Sequence, residues 1–458
     1  MKRSIFLAVF AIVGFICSAN AQESELPKYQ RSSLHMVLLT TDEPNIEGSE
    51  DFAAILDQAW QEYPFPEKYN EHKIDVTKVY GGKLKGSFEE TINEFLNSFD
   101  RLSLDDAKDL VSNLEGDKVY NANLVNTIND VIDKEKMGNQ LIRKWFNIQD
   151  DGSWNYELIM ERAAYNADQA DIAEAQVLSR GVQAIFDQGE DLISNTFVTF
   201  SKLSFYKNEP VAAFYCNIAK YIASLLPEPG RTIGILAADK TYKTAKDGYT
   251  AKTTTALYQL VWNDEVRATF YDMFEGDKIN MEKFNAYSFP LTLVGIDKSS
   301  GSTVDLLEEL GNTIGFDLAQ PSESLIKKTI IRNIDKLFAK MQKKHKVLAP
   351  VAQIISTDPL IADIGMKEDL EANDKFRLIE PKFDPKTCKF EWHEIGTNIL
   401  GSDLIKPKKG EKIWDNRYSL IDEANGEKPA EEPAIKGTVF TDHKQARRGM
   451  LIRQVIEK

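Results

Sequence analysis

The chain has 458 residues, 28% charged and 42% hydrophobic, with 71 acidic residues against 56 basic and a formal net charge of −15. That balance argues against a nucleic-acid partner across the whole surface, and the ordinary apolar and aromatic content excludes disorder over most of the length. A chain of this size predicts two or three domains.

The first residues address the chain for export. Lys2 and Arg3 precede an apolar run from Ile5 to Cys17, and Ala19-Asn20-Ala21 places small residues three and one before a cut. This reads as a signal peptide, residues 1–21, cleaved between Ala21 and Gln22. Losing Lys2 and Arg3 leaves 54 basic residues against the same 71 acids, or −17. Bulky Ile16 stands where a lipidated cysteine needs a small neighbour, which disfavours an anchor at Cys17. The nearest later approach to a spanning segment is "VAAFYCNIAKYIASLL", Val211 to Leu226, which is short, carries Lys220 and reads as a buried core helix. Cys216 and Cys388 are the only mature cysteines; export permits a bridge, while a helix pattern around one and a turn around the other suit two thiols as well.

In chain order, "RSSLHMVLLTT", Arg31 to Thr41, reads as a strand. "FAAILDQAW" follows as a helix with Phe52, Ile55, Leu56 and Ala59 on one face and Ser49 as a candidate cap. Helix patterns dominate from Phe88 to Phe146, including "SLDDAKDLVSNLEG" and a stripe of Leu124, Ile128, Val131 and Ile132. "QDDGS" is a turn and "WNYELIMER" alternates as a strand would. Asp168 to Ile185 returns to helix. "DLISNTFVTFSKLSFY", Asp191 to Tyr206, is rich in branched and aromatic residues and reads as β, as do "TAKTTTALYQLVW" and "AYSFPLTLVGIDKS", the last with Pro290 suggesting a sheet edge. One mixed sheet with helices against it is the expected body. Ile326, Ile330, Ile334, Leu337 and Met341 then form the apolar stripe of a basic helix, Leu325 to Val347. After Pro350, short β runs ("KFRLIE", "KFEWHEI", "KIWDN", "GTVF", "GMLIRQVI") predict a small all-β, barrel-like domain, with turns at Asn373-Asp374 and Asp384 to Thr387. "NGEKPAEEPA", Asn425 to Ala434, reads as a mobile insertion.

The fold class expected is therefore α+β. A mixed α/β body covers 22–300, with a candidate subdomain break near 208–250. A helical connector, 301–348, leads to the β domain, 349–458.

Catalytic motifs are mostly incomplete. "GGKLKGS", Gly81 to Ser87, lacks the lysine that would follow the last glycine of a phosphate loop. With Gly152 as the sixth position of a calcium loop, Leu158 falls where a bidentate carboxylate is required. "SLIK", Ser324 to Lys327, lacks the companion elements of its class and reads as a helix start capped by Ser322 or Ser324. Glu391 and His393 share a strand face but make only two ligands. No catalytic, cofactor or metal residue is assigned. Two stretches stand out as interaction surfaces. The basic helix offers Lys336, Lys340, Lys343 and Lys344 to an acidic partner or an anionic membrane surface, against the plainer reading of a solvated face. "IWDNRYSL" offers Trp414, Arg417 and Tyr418 as an interface, against the reading of a domain core.

The succession of strand and helices, "WNYELIMERAAYNAD" with Glu161-Arg162, and then Asp191 to Phe200, is similar to periplasmic modules of the curli-secretion lipoprotein type. The C-terminal segments "MKEDLEANDKF", "DPKTCKF" and "EIGT" resemble the small β domain of the flagellar assembly protein T. The whole resembles an exported family of Bacteroidota. The resemblance implies a non-catalytic envelope protein that binds or scaffolds others; export and the incomplete catalytic motifs make the expectation a scaffold or adaptor for envelope partners in the periplasm or at the outer membrane, and the acidic balance speaks against nucleic acid. The alternatives are an exported hydrolase with a site assembled from distant residues and a membrane-surface binder acting through the basic helix.

Overall fold

The structure is a computed structural model that describes residues 32–42, 52–87, 90, 92, 118–166, 192–309, 322–384, 389–395, 404–417 and 436–456. The fold class is α+β, as the sequence predicts. The first half runs β1 (Ser33–Thr40), α1 (Ala53–Glu62), β2 (Asn70–Glu71), β3 (Lys78–Tyr80), α2 (Lys118–Lys134), α3 (Met137–Trp145), α4 (Glu157–Asn166) and β4 (Thr196–Lys207). Then come α5 (Asn208–Ser224), α6 (Gly230–Ala245), β5 (Tyr249–Leu260), α7 (Asp264–Tyr271), a small hairpin of β6 (Phe274–Glu275) and β7 (Lys278–Ile279), α8 (Met281–Ala286), β8 (Leu291–Ser302) and α9 (Thr303–Glu309). The remainder is α10 (Glu323–Lys344), β9 (Val351–Thr357), β10 (Leu360–Ala362), β11 (Phe376–Asp384), β12 (Lys389–Ile395), β13 (Thr438–Val439) and β14 (Leu451–Gln454).

The first sheet has the order β2-β1-β4-β5-β8, with β3 also against β1. β1 pairs in parallel with β2, β3 and β4, and the rest is antiparallel. Pro290 immediately precedes β8, which is an edge strand, so the lost donor falls where no ladder needs it. Alternate residues of β1 and β4 feed opposite layers. Val37, Leu39, Val198 and Phe200 pack with Leu124, Ile128, Leu141, Ile142 and Trp145 from α2 and α3. Leu34, Leu38, Phe197, Leu203 and Phe205 face the other way, toward α1 and α10. Covered on both faces, β4 is buried at nearly every residue, which is why it reads as a continuous β-rich run.

α10 starts where Ser322 Oγ accepts from Leu325 N at 3.2 Å. Its stripe of Ile326, Ile330, Ile334, Leu337 and Met341 is buried, and Asn333 bonds Ser299 Oγ of β8 at 2.7 Å and Thr253 Oγ1 of β5 at 2.8 Å. The segment read from sequence as a connector thus lies across the first sheet.

The C-terminal domain is a sheet of order β12-β11-β14-β9-β10-β13, antiparallel throughout, around Phe376, Leu378, Phe440 and Ile452. Among the described residues this path is open: β12 and β13 are its two ends, so the barrel-like closure expected from the sequence is not seen. β11 and β12 pair antiparallel, with residues 385–388 between them, where the sequence places a turn, outside the described residues, whereas Asn373-Asp374 makes a turn that leads into β11 without pairing β10 to it. β9 and β10 were not singled out by the pattern.

"WNYELIMER" is also corrected. It forms α4, because Glu, Leu, Met, Arg and Ala are strong helix formers and a short alternation does not outweigh them. Asn155 Oδ1 accepts from Glu157 N at its start. Arg162 of that helix is buried, donates to His72 Nδ1 at 3.0 Å and to Ser33 Oγ, and lies over the Trp145 ring at 4.5 Å. Burial pushes the guanidinium pKa down to about 10. The expected signal peptide, Ser49, Ser103 to Gly116, Asp168 to Ile185, Cys388 and the 425–434 insertion lie outside the described residues.

Candidate functional site

A cleft of about 280 Å³ opens where three regions of the chain meet. The loop after α1 supplies Pro66 to Tyr69, one flank of α10 supplies Asp335, Phe338 and Gln342, and the C-terminal domain supplies Asp363, Lys367, Glu368, Trp414 to Arg417 and Lys436. Residues 335, 338 and 342 stand three and four apart, so they share one helix flank. That flank turns toward the C-terminal domain while the neighbouring Ile/Leu stripe faces the sheet.

The domain side is built by local backbone chemistry. Met366 N donates to Trp414 O at 2.9 Å and Lys367 N to Asn416 Oδ1 at 2.7 Å. Glu368 Oε2 accepts from Gly365 N and from Asn416 Nδ2, each at 3.0 Å. A Cβ at Gly365 would overlap Trp414 O and the Asn416 side chain, so only glycine lets the two loops approach. Thr438 Oγ1 donates to Ile364 O at 2.6 Å and accepts from Trp414 N at 3.1 Å, holding the tryptophan segment to β13.

Two ion pairs border the cleft. Lys68 bonds the Asp363 carboxylate and, at 2.8 Å, the Asp363 carbonyl, joining the body to the C-terminal domain. Arg417 chelates Asp415 through Nε at 2.8 Å and Nη2 at 2.7 Å, and this holds the Asp415 carboxyl below the usual range. Lys367 has no carboxylate within ion-pair distance among the described residues.

Asp335 is the unusual group. It is 4% exposed; Oδ1 accepts from Tyr63 OH at 3.0 Å and Oδ2 has no hydrogen-bond partner. Burial raises its carboxyl pKa, and the Glu368 charge adds to that, against opposing effects of Lys367, the Tyr63 hydroxyl and Arg332. Burial, followed by the Asp335 charge, pushes the Tyr63 phenol well up in turn. A buried carboxyl that favours its protonated form can donate as well as accept a hydrogen bond.

The residues singled out from sequence fall into two groups. Trp414 and Arg417 both line the cleft; Tyr418 lies outside the described residues. The lysines of α10 contact the chain itself. Lys336 donates to Ser300 O at 3.1 Å and Lys340 to Lys298 O at 2.9 Å, capping carbonyls of the β8 edge. Lys344 pairs with Asp297 at 2.7 Å, beside His345 at 2.5 Å from the same carboxylate. Lys343 reaches Asp369 at 2.9 Å, Glu371 at 3.3 Å and Asp374 at 3.9 Å. Burial works against the Lys343 charge, yet these three acids together hold its pKa above the ordinary value. His393 is exposed on β12.

Sequence reasoning missed Asp335, Lys367, Lys68 and Tyr63. One signal was present: after Glu323, Asp335 is the single acid on an otherwise basic α10, and it adjoins the apolar stripe. No family model and no curated protein matches the sequence.

Proposed function

We propose that this chain is an exported, non-catalytic envelope protein, acting in the periplasm or at the outer membrane as a scaffold or adaptor through protein contacts. The cleft is where it receives a partner. The observation that carries this reading is the convergence of three remote regions on one concave surface, whose lining holds both Lys367, with no carboxylate at ion-pair distance among the described residues, and Trp414. An extended segment that places a carboxylate near Lys367 and an apolar side chain against Trp414 and Phe338 suits that lining. The neighbouring charges mostly have work to do already: Asp363 holds Lys68, Asp415 holds Arg417, and Glu368 fixes the loop that carries Lys367. Affinity capture from envelope extract tests this. The chain should retain one acidic partner that both Lys367→Glu and Trp414→Ala release, while equal capture by all three proteins would refute the cleft as the site.

A second reading, an exported hydrolase, draws on Asp335. An elevated carboxyl in a cleft with Glu368 nearby is the kind of group that serves as a general acid. Turnover of a glycoside or ester panel, abolished by Asp335→Asn, would favour it over the adaptor.

A further inference from the structure

The connection between β4 and β5 is a helical hairpin, α5 and α6, that stands off the end of the first sheet. At 1.5 Å per residue the 17 residues of α5 reach about 25 Å. The base is pinned: Asn208 N donates to Gly248 O at 3.0 Å, Asn208 Nδ2 to Asp247 O at 2.7 Å, and Thr250 Oγ1 to Asn208 Oδ1 at 2.7 Å. Midway, Lys220 pairs with Asp239 at 2.5 Å and Cys216 Sγ donates to Ala238 O at 3.5 Å.

Toward the tip the seam between the helices is made by small residues. A Cβ at Gly234 would lie 2.7 Å from Ala223 Cβ. With Ala223 and Ala238 buried in the seam, the large side chains turn outward: Ile222, Leu225, Leu226, Ile233 and Leu236 are 44–63% exposed. This inverts the usual pattern of a water-exposed helix pair and matches the small-inside, large-outside arrangement of helices that face lipid. The expectation that Val211 to Leu226 is a buried core helix therefore holds only for its sheet-proximal part.

Charge narrows the occupant. From Ile222 to Leu236 the only charged residues are Glu228 and Arg231, in a chain that is 28% charged. Glu228 is turned back onto the start of α6, where it accepts from Thr232 Oγ1 at 2.9 Å. Arg231 is exposed at the tip, Tyr221 stands on the last turn of α5 and Lys240 lies ten residues into α6, while Lys243 and Lys246 belong to its sheet-proximal end, where Lys246 pairs with Asp247 at 3.4 Å; the 208–248 segment carries five basic residues against four acidic in an acidic protein. An apolar end backed by cations and a tyrosine is complementary to an anionic bilayer interface.

We infer that the α5–α6 tip is a lipid-surface anchor, seating Ile222, Leu225, Leu226, Ile233 and Leu236 at the headgroup boundary of an anionic bilayer. The surface is independent of the cleft and of any partner bound there. No helix among the described residues is long and apolar enough to cross a membrane, so the contact is peripheral.

The test uses the chain without residues 1–21, whose apolar run would itself partition, and vesicles of phosphatidylethanolamine and phosphatidylglycerol. The wild type co-sediments, and a Leu225→Trp variant shows a blue-shifted emission on adding vesicles. The Ile233→Asn/Leu236→Asn double variant keeps its circular dichroism and melting temperature, because both residues are exposed, and loses at least about tenfold in partitioning, equivalent to about 1.4 kcal/mol. Equal sedimentation of wild type and double variant overturns the inference. So does absence of wild-type binding, or a dimer seen by light scattering that the double variant dissociates, which would assign the tip to a second copy.

Discussion

Replacing Asp335 by Asn tests the electrostatics of the cleft without altering its shape. The amide oxygen can still accept from Tyr63 OH, which lies 3.0 Å from Oδ1 in the wild type. What changes is the second oxygen, buried without a partner, and the charge it shares when ionised. Burial raises the carboxyl pKa in the folded state, so the folded chain binds more protons than the unfolded one above the ordinary aspartate value. Wild-type stability contributed by this group is accordingly complete at low pH and falls as pH rises through the elevated pKa. Each pH unit separating the two values is worth about 1.4 kcal/mol. Asp335→Asn should therefore gain on the wild type as pH rises from about 3 toward about 7, with the gain setting in above the ordinary aspartate range. Urea unfolding followed by tryptophan fluorescence, taken across that range as a difference between the two proteins, reads this directly. A difference that is flat with pH, or that grows as pH falls, would refute the reasoning.

Other expectations follow from the same geometry. His35 is held at about 4 by burial, and His72 lies well below its ordinary value for the same reason, so both favour the neutral folded form. The His35 contribution is complete above about pH 6.5 and is lost as pH falls from there toward about 4, which a His35→Asn variant should flatten in acid-unfolding curves; that of His72 is lost in the same direction. Gly365→Ala forces apart the loops of Met366 and Trp414, and thermal melts should show a loss of about 1–3 kcal/mol. Asn333→Ala leaves buried hydroxyls of Ser299 and Thr253 without their partner and should cost about 1–3 kcal/mol in denaturant titrations. Lys343→Ala removes one centre of a three-acid network on a quarter-exposed side chain; about 1 kcal/mol is expected, shrinking as salt is added to the melt.

The centre of the first sheet was legible because β1, β4 and β5 are long and mostly buried. β4 and β5 are rich in Thr, Val, Phe and Tyr, and that enrichment marks them as strands in the sequence. α10 was legible for its 3.6-residue stripe, yet its role was not. Its lysines look solvated in one dimension, and only the fold brings the carbonyls of β8 and the acids of the Asp369 turn beneath them. The short β10 carries too few residues to establish a period, and "WNYELIMER" shows the converse failure, an alternation overridden by helix propensity.

The cleft was half legible. Trp414 and Arg417 announce themselves as an aromatic–basic pair. Asp335 does not, because its significance comes from Tyr63, 272 residues earlier, and from a domain that starts after the helix ends. The exposed tip was misread for a related reason. An apolar helix pattern reports that large side chains are present, and does not tell whether small residues on a second helix have taken the seam.

The adaptor reading rests most directly on what sits against Trp414 in the native envelope. A photoreactive phenylalanine analogue at position 414, irradiated in intact cells and resolved by mass spectrometry, should yield one discrete protein adduct that Lys367→Glu removes and Asp335→Asn leaves in place. Adducts that are absent, or that persist unchanged with Lys367→Glu, would contradict the account.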